Sequence, residues 1–112
     1  MVASRAVPIL NDIRAALRAG TYRITGHAAD EMLDDNIAEP DLIVAALAGE
    51  VIEDYPTAFP FPACLLLGQI PNGSLVHAVW AYDAATCYPV LVTAYRPDPA
   101  RWTPDFRRRV KR

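Results

Sequence analysis

The chain has 112 residues, enough for one hydrophobic core and too few for two. Its apolar fraction of 53% and charged fraction of 21% predict a folded globular protein and exclude an intrinsically disordered one. No apolar run approaches the roughly 18 residues of a membrane span, and residues 1–6 lack the apolar stretch of a secretory signal. We therefore predict a single cytoplasmic domain over residues 1–112 that does not associate with membranes.

The net charge of −2 conceals an uneven distribution. Residues 1–95 hold four Arg or Lys and eleven Asp or Glu, a net −7, whereas residues 96–112 hold seven and two, a net +5. An arginine-rich tail can contact phosphates, because each cation that neutralises a phosphate releases counterions. Alternatively, it is a solvated C-terminus that keeps an acidic protein soluble or docks on the protein's own acidic helices.

The first half of the chain has the apolar spacing of helices. Gly20 can end the first helix, and residues 8–20 read as an addition to a core over residues 22–95. Residues 22–24 are short and β-prone, after which Thr25 can cap a helix. The predicted helices cover residues 8–19, the stretch from the Thr25 cap to Asn36, and the stretch from Pro40 to Gly49.

The second half changes to the alternation of strands, interrupted by a proline-rich loop and by turns that contain Asn, Gly or Asp. The predicted strands cover residues 50–55, 63–70, 74–82 and 88–95. Helices followed by a meander are typical of the α+β class. We therefore expect N-terminal helices packed on one face of a four-stranded, mostly antiparallel sheet, with residues 96–112 as the tail.

His27 follows Thr25 by two residues and lies in the first turn of its helix. Free backbone N–H groups and the positive end of the helix dipole attract anions there. Because imidazole exchanges protons near neutral pH, His27 is a candidate acid or base. The alternative is a structural role, with His27 holding residues 22–24 against the helix through a backbone hydrogen bond.

His77 is the second candidate, in a strand whose alternation groups it with apolar residues. The simpler interpretation is a half-buried sheet histidine satisfied by a neighbour. In the functional interpretation, His77 takes part in RNA cleavage without a metal. That reaction needs a base for the 2′-hydroxyl proton, an acid for the leaving oxygen and cations for the charge of the phosphorane. Two histidines and an arginine would meet those needs.

Glu53 and Tyr55 end the first long strand beside the proline loop. Glu53 could act as a general base, and Tyr55 could stack on an unpaired base as aromatic residues do in RNA-binding proteins. Alternatively, the aromatic closes the edge of the core and the acid stays in water. Cys64 and Cys87 lack the spacing of metal ligands, so we predict two buried thiols and neither metal nor cofactor.

The last strand runs into an arginine-rich exit. Arg96 follows the strand directly and is a candidate phosphate ligand, since guanidinium matches phosphate geometry. Tyr95 could orient a base or a phosphate, and Arg23 could supply a second cation. Trp102 is expected to fold back as an apolar plug.

Several segments together carry a family resemblance: residues 27–32, 49–55, 67–68, 77–79, 92–95 and 97–102. Over residues 22–106 the chain resembles the bacterial family called domain of unknown function 4258. The resemblance implies a fold near the RelE-like and barnase-like small ribonuclease toxins and a cognate antitoxin protein as partner. It marks His27, Glu53, His77 and Tyr95 as positions of the family pattern.

The leading hypothesis is a metal-independent endoribonuclease toxin, with His27 and His77 as the acid and base and with Arg96 and Arg23 on the phosphate. The competing hypothesis is a catalytically silent binding module that uses its acidic helices to hold a protein partner. Self-association through strand edges is a further expectation. The acidic body disfavours RNA, so binding would depend on a local positive groove.

Overall fold

The computed structural model describes residues 7–110. The residues in which a secretory signal was sought, 1–6, and the last two residues of the tail lie outside this part of the chain. No helix within residues 7–110 combines the length and apolar character needed to cross a membrane. The elements in chain order are α1 (Pro8–Ala19), β1 (Arg23–Ile24), α2 (Gly26–Asp34), α3 (Glu39–Ala48), β2 (Glu50–Tyr55), β3 (Ala63–Gln69), β4 (Leu75–Asp83) and β5 (Tyr88–Tyr95).

The sheet has five strands in the order β1-β5-β4-β3-β2. Strands β2 to β5 form the predicted antiparallel meander. The two-residue strand β1, however, pairs parallel to β5, with Arg23 opposite Val90 and Ile24 opposite Leu91. The prediction of a four-stranded, mostly antiparallel sheet is therefore wrong. Two residues are too few to show alternation, and β1 pairs because the chain between α1 and α2 passes the edge of β5.

The three helices pack on one face of the sheet and enclose the main core. Gly20, with φ 77°, ends α1 by donating its backbone N–H to the last turn. Gly68 lets α3 approach β3 closely, because a Cβ there would lie 2.6 Å from the carbonyl oxygen of Ala45. The largest fully buried members of this core are Ile13, Leu42, Leu66, Trp80 and Leu91.

Helix α2 lies along the part of β5 that β1 leaves unpaired. The backbone N–H of Ala94 donates to Glu31 Oε1 at 3.1 Å, and that of Arg96 donates to Asp35 Oδ2 at 2.8 Å. Glu31 and Asp35 are four residues apart and so share one face of the helix. An unpaired buried N–H costs about 1–3 kcal/mol, so these carboxylates stabilise the edge and hold α2 beside it.

The opposite face of the sheet carries the candidate residues of β2, β4 and β5. His77 is the direct cross-strand partner of Tyr95, and the register also places Glu53 and Tyr55 on this face. Residues 96–110, called here the C-terminal segment, cross over it. Trp102 folds back as predicted and is 4% exposed.

The two cysteines differ. Cys64 is buried as predicted, whereas Cys87 is exposed in the turn before β5, with a left-handed φ of 60°. The prediction that both thiols are buried is therefore wrong for Cys87. The turn places this residue outside the alternation of the strand that follows, so its burial could not be read from the period of that strand.

Candidate functional site

His27 lies exposed at the start of α2. The Thr25 hydroxyl caps this helix by accepting from the backbone N–H of Ala28 at 3.1 Å. The His27 side chain is 70% exposed, and its Nε2 lies 3.3 Å from Glu31 Oε1. The histidine therefore presents its imidazole to solvent with one nitrogen held beside a carboxylate.

Glu31 is the residue that joins His27 to the sheet. Its Oε1 accepts from the hydroxyl of Thr93 as well as from the N–H of Ala94. Two donors on β5 thus hold the carboxylate that pairs with His27. Sequence reasoning assigned Glu31 no site role, although its spacing of four residues from His27 on a helix was a readable signal.

A cleft of about 390 Å³ lies between α2, the end of β5 and the C-terminal segment. Three arginines contribute to its wall, two carboxylates partly balance them, and Trp102 closes it from the tail side. With three arginines and two carboxylates, its lining residues carry a net formal charge of +1. The lining residues are Glu31, Tyr95, Arg96, Asp98, Arg101, Trp102 and Arg109.

Arg96 lies in the cleft wall but is largely committed to the protein. Its Nε donates to the carbonyl oxygen of Asp35 at 2.7 Å, and its Nη2 donates to that of Asn36 at 3.3 Å. These carbonyls end α2, and a cation there also complements the helix dipole. Arg96 therefore caps α2, and little of its donor capacity remains for the phosphate predicted from sequence.

Arg101 is the more available cation, whereas Arg109 is paired within the protein, as Arg96 is. The Arg101 side chain is 75% exposed, and its Nε lies 3.8 Å from Asp98. The Arg109 guanidinium lies over the ring of Trp102 at 4.7 Å from the ring centroid. Sequence reasoning assigned neither arginine a site role, because the turns that bring them to the cleft have no periodic signal.

Glu53 and Tyr55 lie together under the C-terminal segment. Arg109 donates to both carboxylate oxygens of Glu53, and the Tyr55 hydroxyl donates to one of them. Burial raises the pKa of Glu53, but the hydrogen bonds from Arg109 and Tyr55 outweigh it and leave the pKa below its ordinary value. Burial and the neighbouring carboxylate raise the pKa of Tyr55 to about 12. Glu53 is thus held as an anion paired with Arg109.

His77 is buried, with 0% exposure. Its Nε2 lies 2.9 Å from the carbonyl oxygen of Phe106, and its Nδ1 lies 3.3 Å from the hydroxyl of Tyr95. The ring of Trp102 packs edge-on at 4.3 Å. Burial lowers the pKa of His77 and so favours the neutral ring. His77 therefore has no surface open to a substrate, and the structure does not bring it together with His27 as an acid–base pair.

Arg23 lies apart from this cleft. Its Nη2 donates to the hydroxyl of Thr86 at 2.8 Å and lies 3.5 Å from Asp83. Its guanidinium also lies 5.0 Å from the ring centroid of Tyr88. Arg23 thus ties β1 to the turn before β5 and is not among the residues that line the cleft.

Of the predicted site residues, the structure places Tyr95 and Arg96 in the cleft wall and connects His27 to it through Glu31. Glu53 and Tyr55 are connected to it through Arg109, and His77 through Tyr95 and Trp102. Within residues 7–110, no three His, Cys, Asp or Glu side chains gather as metal ligands would. The chemistry available at the cleft is anion binding beside an exposed imidazole.

Comparison with protein families matches residues 24–96 to the family described as Domain of unknown function (DUF4258). The match covers more than half of the chain, and the resemblance to this family is confirmed. No curated protein matches the chain. No solved structure matches it either, so a likeness to RelE or barnase is not shown.

Proposed function

The chain belongs to the DUF4258 family, whose description names no reaction, and we propose from the cleft that it is a metal-independent endoribonuclease. The observation that carries this proposal is that the exposed His27 lies 3.3 Å from Glu31, which lines the same cleft as Arg101 and Arg109. A proton-transfer group and cations are the parts that cleavage of an RNA phosphodiester requires. A toxin that is neutralised by an antitoxin protein is the biological role that fits such an activity.

Glu31 prepares His27 for this reaction. Its Oε1 lies 3.3 Å from Nε2 of His27, and in the tautomer with the proton on Nε2, facing this carboxylate, Nδ1 is free to accept a proton. A carboxylate that fixes the tautomer of a histidine in this way also stabilises the imidazolium formed when the ring takes a proton. The hydrogen bonds from Thr93 and Ala94 keep Glu31 in place as the charge changes.

In the proposed reaction, Nδ1 of His27 takes the proton of the ribose 2′-hydroxyl. The 2′-oxygen attacks phosphorus, the bond from phosphorus to the 5′-oxygen breaks, and the departing oxygen takes a proton from water. The imidazolium of His27 then returns its proton to the hydroxide that remains. The products are a 2′,3′-cyclic phosphate and a 5′-hydroxyl end. Arg101 stabilises the charge on the phosphorane, since guanidinium donors match its equatorial oxygens. Arg109, whose Nε and Nη2 donate to Glu53, adds positive charge to the cleft wall.

A second candidate function is a binding module that holds RNA or a protein partner without cleaving it. The observation that favours it is the internal commitment of three predicted site residues. Glu53 is paired with Arg109, Arg96 caps α2, and His77 is buried. This leaves His27 as the exposed imidazole of the described residues, so the reaction depends on one histidine rather than two.

The test is cleavage of an end-labelled single-stranded RNA by purified protein in excess EDTA. His27→Ala should lower the rate by about 10²–10⁴-fold, as expected for loss of a general base. Arg101→Gln should lower it by roughly 10-fold or more through loss of charge stabilisation. Arg108→Gln is the matched control, because this exposed arginine of the same segment does not line the cleft.

The outcomes separate the two candidates. Cyclic-phosphate products that depend on His27 and Arg101 support the endoribonuclease. Intact RNA that is nevertheless bound by the wild-type protein, with binding weakened by Arg101→Gln, supports the binding module. Growth arrest on induced expression that His27→Ala abolishes would connect the activity to the toxin role, provided that both proteins melt at the same temperature.

A further inference from the structure

A partly buried hydrogen-bond chain runs from the C-terminal segment through the buried His77 to the cleft. The carbonyl oxygen of Phe106, 2.9 Å from His77 Nε2, can only accept, so Nε2 must carry a proton. Because burial favours the neutral ring, Nδ1 carries none and presents a lone pair. The Tyr95 hydroxyl, 3.3 Å from Nδ1, is therefore the donor of that hydrogen bond.

This direction leaves Tyr95 without a proton for a ligand. A phenol has one O–H group, and here that group points to His77. Burial raises the pKa of Tyr95, so the hydroxyl stays protonated and the donor role persists at neutral pH. What Tyr95 can offer in the cleft it lines is a lone pair, which accepts hydrogen bonds.

A hydrogen-bond acceptor distinguishes the groups of a nucleic acid that can donate a proton from those that cannot. Phosphate oxygens at neutral pH have no proton to donate, so Tyr95 gains nothing from them and the expected role in orienting a phosphate does not fit. A ribose 2′-hydroxyl is a donor, and deoxyribose lacks it. The arginines of the cleft hold the phosphate, and an acceptor beside them suits the neighbouring sugar.

We propose that His77 is a positioning residue that makes Tyr95 an obligate acceptor, and that Tyr95 selects RNA over DNA by accepting from the 2′-hydroxyl of the nucleotide flanking the cleaved bond. This inference rests on the proposed function insofar as the cleft holds a nucleic acid. The flanking 2′-hydroxyl is distinct from the attacking one, whose proton goes to His27.

The hydrogen-bond chain is tested without any ligand. Nitrogen-15 NMR of the histidine rings near pH 7 should show His77 as the neutral tautomer protonated at Nε2. The Tyr95→Phe variant should keep that tautomer and shift the Nδ1 resonance toward that of an unbonded nitrogen. A proton on Nδ1, or a charged ring, would overturn the proposal.

Selection of the sugar is tested by two substitutions of His77, each of which keeps a polar atom near one of the two ring nitrogens. Asparagine places its amide oxygen near the Nδ1 position and can still accept from Tyr95, whereas glutamine places its amide nitrogen near Nε2 and cannot. Binding of matched single-stranded RNA and DNA is measured in a His27→Ala background, which keeps the RNA intact. One hydrogen bond predicts a preference for RNA of about two- to tenfold.

His77→Asn should keep this preference, whereas His77→Gln and Tyr95→Phe should reduce it to near one. Retention of the preference in Tyr95→Phe, or its loss in His77→Asn alone, overturns the proposal. If both His77 variants fail to fold, Tyr95→Phe decides, because it removes one oxygen and keeps the ring.

The same measurement keeps the two proposals apart. Equal binding of RNA and DNA by the parent protein overturns sugar selection but leaves the proposed cleavage standing on its own assay. Absence of binding to either nucleic acid overturns both, while the tautomer of His77 still reports on the hydrogen-bond chain alone.

Discussion

Arg109 donates to Glu53 from Nε at 3.0 Å and from Nη2 at 3.1 Å, and this pair fastens the C-terminal segment to the edge strand β2. The Arg109 side chain also lies over Trp102, which packs on His77. One arginine therefore links the covering segment, the buried histidine and the cleft. Loosening this contact should affect all three.

We expect Arg109→Gln and Glu53→Gln each to lower the free energy of unfolding by about 1 kcal/mol, since the pair is two-pronged but Arg109 is 63% exposed and screened by solvent. A double-mutant cycle by urea denaturation should give a coupling of about 0.5–1 kcal/mol. Arg108→Gln, in the same segment, is the control. A coupling of zero would show that the pair does not hold the segment.

The burial of His77 leads us to expect that the stability of the protein depends on pH. Burial lowers its pKa in the folded protein, so the unfolded chain binds the proton more readily and stability falls as pH drops below the ordinary histidine value of roughly 6.5. The nearby charges are Glu53, which favours the protonated ring, and Arg109, which opposes it.

Thermal melts of the wild-type protein and His77→Asn between about pH 7.5 and 5 should therefore converge as the pH falls. The variant has no titrating ring at this position, so its curve should be flatter over that window. Parallel curves for the two proteins would contradict a buried neutral His77. Stability lost below about pH 4.5 belongs to the carboxylates, Glu53 among them.

Gly68→Ala should destabilise the protein by about 1–3 kcal/mol, because the added Cβ would lie 2.6 Å from the carbonyl oxygen of Ala45 and push α3 from the sheet. Gly26→Ala is the matched control, since a Cβ there meets nothing within 4 Å. Chemical denaturation of both variants provides the comparison. Equal stabilities would show that α3 and β3 can separate without cost.

Glu31→Ala should lower stability by about 1–3 kcal/mol by leaving the N–H of Ala94 without its acceptor. Asp30→Ala, one residue earlier and exposed, should change stability by less than about 0.5 kcal/mol. Hydrogen exchange resolves the cause, because the Ala94 amide should exchange faster in the Glu31 variant than in the control. Unchanged protection of that amide would show that the hydrogen bond to Glu31 does not stabilise the edge of β5.

Much of the fold was readable from local pattern. The alternation in residues 75–82 and 88–95 predicts β4 and β5, and the same period predicts that His77 shares a face with its apolar neighbours, as it does. Asn36, the predicted end of the second helix, has the left-handed φ of 54° that is common after the last turn of a helix. These features depend on residues close in sequence, so periodicity and capping suffice to find them.

The site was less readable. Residues 27 and 31 show their pairing through helical spacing, but nothing local indicates that Glu31 meets β5 more than 60 residues later. The residue type and position of Arg96 predict a phosphate ligand. Only the packing of α2 shows that its guanidinium donates to carbonyl groups at the end of that helix. The addition of β1 to the sheet likewise depends on where the chain passes.

The sequence by itself determined the helices, the meander and the residues able to carry proton transfer and positive charge, because hydrophobic period and side-chain chemistry are local properties. The tertiary structure alone decided which of those residues face solvent. His27 is exposed because α2 lies at the edge of the sheet, and His77 is buried because the C-terminal segment crosses its face. Such contacts join residues far apart in the chain, and they arise from the burial of apolar surface and the pairing of polar groups across the whole fold.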